Sequence, residues 1–130
     1  MRQLKILAVS DQVVDSLYSP SLVDRFRDVD LIISCGDLPY DYLEYIVTLL
    51  NKPMYFVHGN HDLDTEYTES GQRHVAPQGA ESLDVHSVVG PQGLLLAGLE
   101  GSIRYDPRSQ HQYTQSEMDA RARQLSLQLV

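Results

Sequence analysis

Three short apolar runs, Ile6–Val9, Leu31–Cys35 and Met54–Val57, are separated by stretches in which apolar residues recur at helical spacing. Runs of this length closed by polar residues predict buried strands, and the spacing between them predicts the crossover helices of a parallel βαβαβ unit. The first helix is expected to start at Ser19-Pro20, an N-cap followed by proline, and to bury Leu22, Val23 and Phe26. The second carries Asp41 as N-cap with Glu44 completing a capping box. Leu43, Ile46, Val47 and Leu50 then line one side, and Asn51 and Pro53 close it.

From Leu63 to Gly79 the chain is polar and rich in Thr, Ser, Gly and Pro, which predicts a long loop leaving the third strand. Leu83 to Val89 and Leu94 to Leu99 flank the turn Gly90-Pro91-Gln92-Gly93 and predict a hairpin in a second sheet. The last element opens on Thr114 and Glu117, spaced as a capping box, and places Met118, Ala122, Leu125 and Leu129 along one helix face.

Composition narrows this picture. With 42% apolar and 22% charged residues over 130 positions, the chain reads as one ordinary globular domain, residues 1–130. A chain of this size buries roughly two thirds of its unfolded surface around one core. The apolar run after Met1–Lys5 is too short for a signal-peptide core or a membrane span, and the single cysteine, Cys35, fits a reducing compartment, so a cytoplasmic location is expected. Cys35 itself reads as a small core residue on the second strand. The net charge of −8, from 18 acids and 10 bases, opposes a large nucleic-acid footprint. It leaves room for an anionic substrate, because bound cations can invert the local charge of an acidic site.

The chemistry-bearing residues fall where an open α/β sheet places its ligands, beyond the carboxyl ends of parallel strands. The first run leads into Ser10-Asp11, the second into Gly36-Asp37 and the third into Gly59-Asn60-His61-Asp62. Carboxylate and amide oxygens with an imidazole suit hard or borderline divalent cations. Asp62 is a candidate to orient His61 through its second ring nitrogen. His58 reads as a packed histidine inside the third run, and Tyr40 either lines the site or packs on the second helix.

The blocks Asp11, then Ser34-Cys35-Gly36-Asp37-Leu38-Pro39, then Tyr55-Phe56-Val57-His58-Gly59-Asn60-His61-Asp62 resemble those of the calcineurin-like metallophosphoesterases. The resemblance implies the first half of that family's layered αββα sandwich, a parallel βαβαβ sheet with part of a second sheet. It implies two divalent ions drawn from Mn, Fe, Zn or Mg. Asp11 would sit on the first, Asp37 would bridge both, Asn60 would sit on the second, and His61 would serve the leaving group. The implied reaction is metal-assisted hydrolysis of a phosphomonoester or phosphodiester.

Two departures modify the expectation. Val13 stands where the family usually has a metal-binding histidine, and none of His74, His86 or His111 lies in the family's Gly-His-x-His context. That later block is expected beyond Val130, which makes the chain an N-terminal portion. Three functions follow from this: a phosphoesterase whose second half lies elsewhere, a degenerate relative that binds metal or phosphate without turnover, and an interaction module. The last would pair through an open sheet edge with a second copy or a complementing C-terminal half.

Overall fold

The computed structural model describes residues 3–62, 66–67, 71, 73–74, 76–106, 108 and 110–129. Strands β1 (Ile6–Val9), β2 (Leu31–Ser34) and β3 (Met54–Phe56) alternate with helices α1 (Leu22–Phe26) and α2 (Tyr40–Leu50). After β3 come β4 (Glu66–Tyr67), β5 (Arg73–His74), β6 (Ala80–Ser82), β7 (His86–Val89), β8 (Leu95–Gly98), β9 (Ser102–Ile103) and β10 (Gln112–Tyr113), and then helix α3 (Gln115–Gln128).

The main sheet has the order β1-β2-β3-β6 with every pair parallel: Ile6 faces Leu31, Ile32 faces Met54, and Met54 faces Ala80. Side chains alternate across a strand, and the two sheet faces are covered by different elements. Ile32 and Met54 pack with Leu22 of α1 and Tyr42, Leu43, Ile46 and Leu50 of α2. Leu31 and Tyr55 point the other way and meet Leu83, with Val88, Leu94 and Leu96 of the antiparallel β7-β8 hairpin against them. The result is the expected α/β architecture, a parallel sheet between helices and a smaller second sheet.

Several local expectations change. Helix α1 is only five residues long and begins at Leu22 after Ser21, two residues past the expected cap. Helix α2 begins at Tyr40 with Pro39 at its N-cap, so Asp41 lies inside the first turn. Asn51 closes that helix as expected, in the left-handed conformation at φ 51°, with its N–H on the Val47 carbonyl. Cys35 is exposed rather than buried; it stands one residue past the end of β2, although its N–H still bonds to the Val9 carbonyl. The stretch expected to be one long loop contains the antiparallel pair β4-β5, although much of it lies outside the described residues. Ala80–Ser82, between the expected loop and the expected hairpin, is a fourth parallel strand.

The capping box on α3 forms as spaced. The Glu117 N–H donates to Thr114 Oγ1 at 3.2 Å, and the Thr114 N–H donates to Glu117 Oε1 at 2.8 Å. Only Leu125 of the apolar face is buried, while Leu129 is 47% exposed. The helix is held as much by polar contacts, with Gln128 Nε2 donating to the Val85 carbonyl at 2.7 Å. A Thr114→Ala variant is expected to lose about 1 kcal/mol, read as a lower denaturant midpoint with an unchanged slope.

Candidate functional site

The carboxyl ends of β1, β2 and β3 form one rim. Cys35 N–H donates to the Val9 carbonyl at 3.0 Å and Asp11 N–H to the Gly36 carbonyl at 3.2 Å, so the first two motif blocks lie side by side. Asp11 and Asp37 both adopt left-handed backbone, at φ 65° and 62°. Aspartate is among the few residues that enter this region readily, and positions held there concentrate at functional sites. The Ser10 hydroxyl donates to the Asp11 carboxylate.

The second and third blocks are in closer contact. A Cβ added to Gly36 would lie 2.2 Å from the Gly59 nitrogen, and one added to Gly59 would lie 2.1 Å from Asp37 Oδ1. The glycines are therefore required for the two turns to touch. Asp37 Oδ1 accepts the His61 N–H at 2.9 Å, while the buried Asp62 accepts the Asp37 N–H at 2.9 Å and the Gly59 N–H at 2.8 Å, both on Oδ2. Asp62 thus ties one motif backbone to the other; the expected bond to a His61 ring nitrogen is replaced by these two amides. The structure brings Asp11, Asp37, Asn60 and His61 to the same rim, with Asp11 and His61 exposed and Asp37 and Asn60 half-buried. Val13 is exposed as well.

Asn60 has a partner that sequence reasoning did not provide. Its Nδ2 donates to the Tyr105 hydroxyl at 2.7 Å and lies 3.5 Å from His61 Nε2. Tyr105 is positioned from below by Gln112, a buried side chain of β10 whose Oε1 accepts the Tyr105 and Asp106 N–H groups at 2.8 and 3.0 Å. The loop arginines are engaged locally, Arg104 with Glu117 and Arg108 with Asp106.

Behind the rim lies a second group. His58 does not simply pack: its Nδ1 is 3.1 Å from Glu100 Oε2 and its Nε2 is 2.9 Å from the Tyr40 hydroxyl. His111 stacks on His58 with ring centroids 4.5 Å apart, and its Nδ1 is 3.2 Å from Glu100 Oε1. The Tyr113 hydroxyl also donates to Glu100 Oε1, and Arg121 stands 3.9 Å from it while pairing with Asp84. Burial opposes the charge on Glu100, but hydrogen bonds from His58, Tyr113 and His111 outweigh it and hold the carboxyl at about 2. Burial and the bond to Glu100 together push the Tyr113 phenol up. Tyr40 is buried against His58, which decides its role as packing and support.

A carboxyl at about 2 in the folded chain and near 4.5 when unfolded stabilises the fold above about pH 4.5 and loses that contribution as pH falls toward 2. The loss is on the order of 3 kcal/mol. In chelator-treated buffer the denaturant midpoint is expected to fall steeply between pH 4.5 and 3, and a Glu100→Gln variant to lack that segment of the profile.

The broad surface groove lined by Val47, Thr48, Asn51, Lys52 and Gln78 lies where the chain enters β3, at the opposite strand end from the rim, and contains no acid or histidine. Among the described residues no helix is long and apolar enough to cross a membrane. The family model described as the calcineurin-like phosphoesterase superfamily domain matches residues 4–125. The chain therefore belongs to that superfamily, whose members are generally metal-dependent phosphoesterases. No curated protein and no solved structure matches the chain.

Proposed function

We propose, for a chain that belongs to the calcineurin-like phosphoesterase superfamily, that the rim of Asp11, Asp37, Asn60 and His61 is a metal-dependent phosphoesterase site acting on small phosphomonoesters or phosphodiesters. The observation that carries this reading is the convergence of these four residues: the Asp11 N–H bonds to the Gly36 carbonyl, and the Asp37 turn is packed on the Asn60-His61 turn through Gly36 and Gly59. The donor set fits divalent cations. A carboxylate offers about four acceptor sites, so Asp37 can take part in binding two cations while it keeps the His61 N–H. Tyr105 takes the Asn60 Nδ2 and so turns the amide oxygen of Asn60 toward a ligand role. When bound, the ions supply an acidified water and take up charge on the phosphoryl oxygens.

The chain's own residues do the rest. His61, exposed at the rim, is placed to give a proton to the leaving oxygen. The Asp37 bond to its N–H fixes the backbone from which that imidazole reaches out. Asp62 and the Gly36–Gly59 contact hold the second and third blocks in register, which keeps the carboxylate and the imidazole at constant separation.

The test is Mn²⁺-dependent hydrolysis of p-nitrophenyl phosphate and bis(p-nitrophenyl) phosphate by the purified chain. His61→Ala is expected to lower kcat by about 10²- to 10⁴-fold with Mn²⁺ binding retained. Tyr105→Phe is expected to weaken Mn²⁺ by about 10- to 100-fold. One observation favours a second reading, binding without turnover: Val13, exposed two residues after Asp11, offers no donor to a cation. Tight Mn²⁺ binding with no hydrolysis of either ester supports that reading and overturns the first.

A further inference from the structure

We infer that His58, Glu100 and His111 form a second metal site, of the two-imidazole, one-carboxylate type that takes a borderline cation such as Zn²⁺. Among the described residues this is the group of histidine, cysteine and acidic side chains whose ligand atoms converge, all lying within 4.8 Å of one another. Ligands about 2.0–2.1 Å from a shared tetrahedral ion stand about 3.4 Å apart, and the Nδ1 to carboxylate separations here are already 3.1 and 3.2 Å. Both Nδ1 atoms lie beside the one carboxylate, and a turn of one ring out of the stack, in which the planes are 12° apart, would bring both in-plane lone pairs onto one ion. All three side chains are largely buried, at 14%, 11% and 10% exposure, so little water competes for the position.

The surroundings fit ligand duty. Without metal, the tautomer carrying its proton on Nδ1 would let each ring donate a hydrogen bond to the Glu100 carboxylate, which only accepts. The other neutral tautomer carries that proton on Nε2 and frees the Nδ1 lone pair, and for His58 the Tyr40 hydroxyl, 2.9 Å from Nε2, is there to accept it. Arg121 is the nearby positive charge, and Asp84 neutralises it. The three ligands come from the end of β3, from the connection between β8 and β9, and from the residue before β10. An ion at this position would therefore staple the β9-β10-α3 segment to the turn after β3 that carries Gly59-Asn60-His61. Because the donor set excludes Asp11, Asp37 and Asn60, the inference stands or falls apart from the rim's activity.

The experiment uses the purified chain carrying Asp37→Asn, which disables the rim, with histidine ring nitrogens labelled by ¹⁵N. One equivalent of Zn²⁺ is expected to shift the Nδ1 resonances of His58 and His111 together and to raise the melting temperature by several degrees. His111→Asn in the same background is expected to weaken Zn²⁺ by about 100-fold in competition with a chromogenic chelator, with the far-ultraviolet dichroism unchanged. Unshifted Nδ1 resonances at saturating Zn²⁺ would overturn the site whether or not the variant folds. So would a shift confined to His61 or to other histidines.

Discussion

Asp37→Asn is expected to abolish nearly all metal-dependent ester hydrolysis while leaving the fold intact. Charge stabilisation at such a centre contributes several kcal/mol, and 4 kcal/mol corresponds to about a thousandfold in rate. The substitution isolates that charge well. Asparagine tolerates the left-handed φ of 62° that position 37 adopts, and its amide oxygen can still accept the His61 N–H that Asp37 Oδ1 now takes. The melting temperature is therefore expected to change little, while kcat/KM with Mn²⁺ falls by about three decades. Activity within threefold of the parent chain would move the chemistry away from this rim.

Gly36→Ala is expected to have the largest effect on stability of any single methyl addition at the site. The new carbon would stand 2.2 Å from the Gly59 nitrogen and 2.9 Å from the His58 carbonyl carbon, both backbone atoms that cannot swing aside. It would also be held at φ +97°, where a side chain is strained. Together these are expected to cost at least about 3 kcal/mol, or roughly 10 °C in melting temperature. Gly93→Ala provides the contrast, since φ is +79° there but nothing lies within 4 Å. Backbone strain alone predicts about 1 kcal/mol. Equal losses in the two variants would show that the contact between Gly36 and Gly59 carries no weight of its own.

Much of the molecule was legible before any coordinates. The runs at Leu31 and Met54 marked two buried strands because a strand covered on both faces must be apolar throughout, whereas the run at Ile6 marked an edge strand on which Ile6 and Ala8 are exposed. Thr114 and Glu117 marked the start of α3 because the capping box is a local device. The positions of Asp11, Asp37, Asn60 and His61 were legible for a related reason, since each lies in the turn that follows a strand, and parallel strands deliver their carboxyl ends to one side.

The misses have a common cause. β6 reads Ala80-Glu81-Ser82, and as an edge strand with two exposed residues it needs no apolar run. Cys35 looked buried because it continues Leu31–Ser34, yet it stands one residue past the last ladder pair and its side chain is exposed. Tyr105 lies 45 residues from Asn60, and Glu100 lies 42 from His58; no periodicity links positions that far apart. The sequence by itself determined the first three parallel strands and that Asp11, Asp37, Asn60 and His61 lie past their carboxyl ends, because apolar runs and turns are set by neighbours along the chain. Only the tertiary structure decided that Asp62 serves backbone amides, that Tyr105 holds Asn60, and that His58, Glu100 and His111 meet. The first depends on the close approach of Gly36 to Gly59, and the other two on how the segment from Glu100 to Tyr113 packs back over the end of β3.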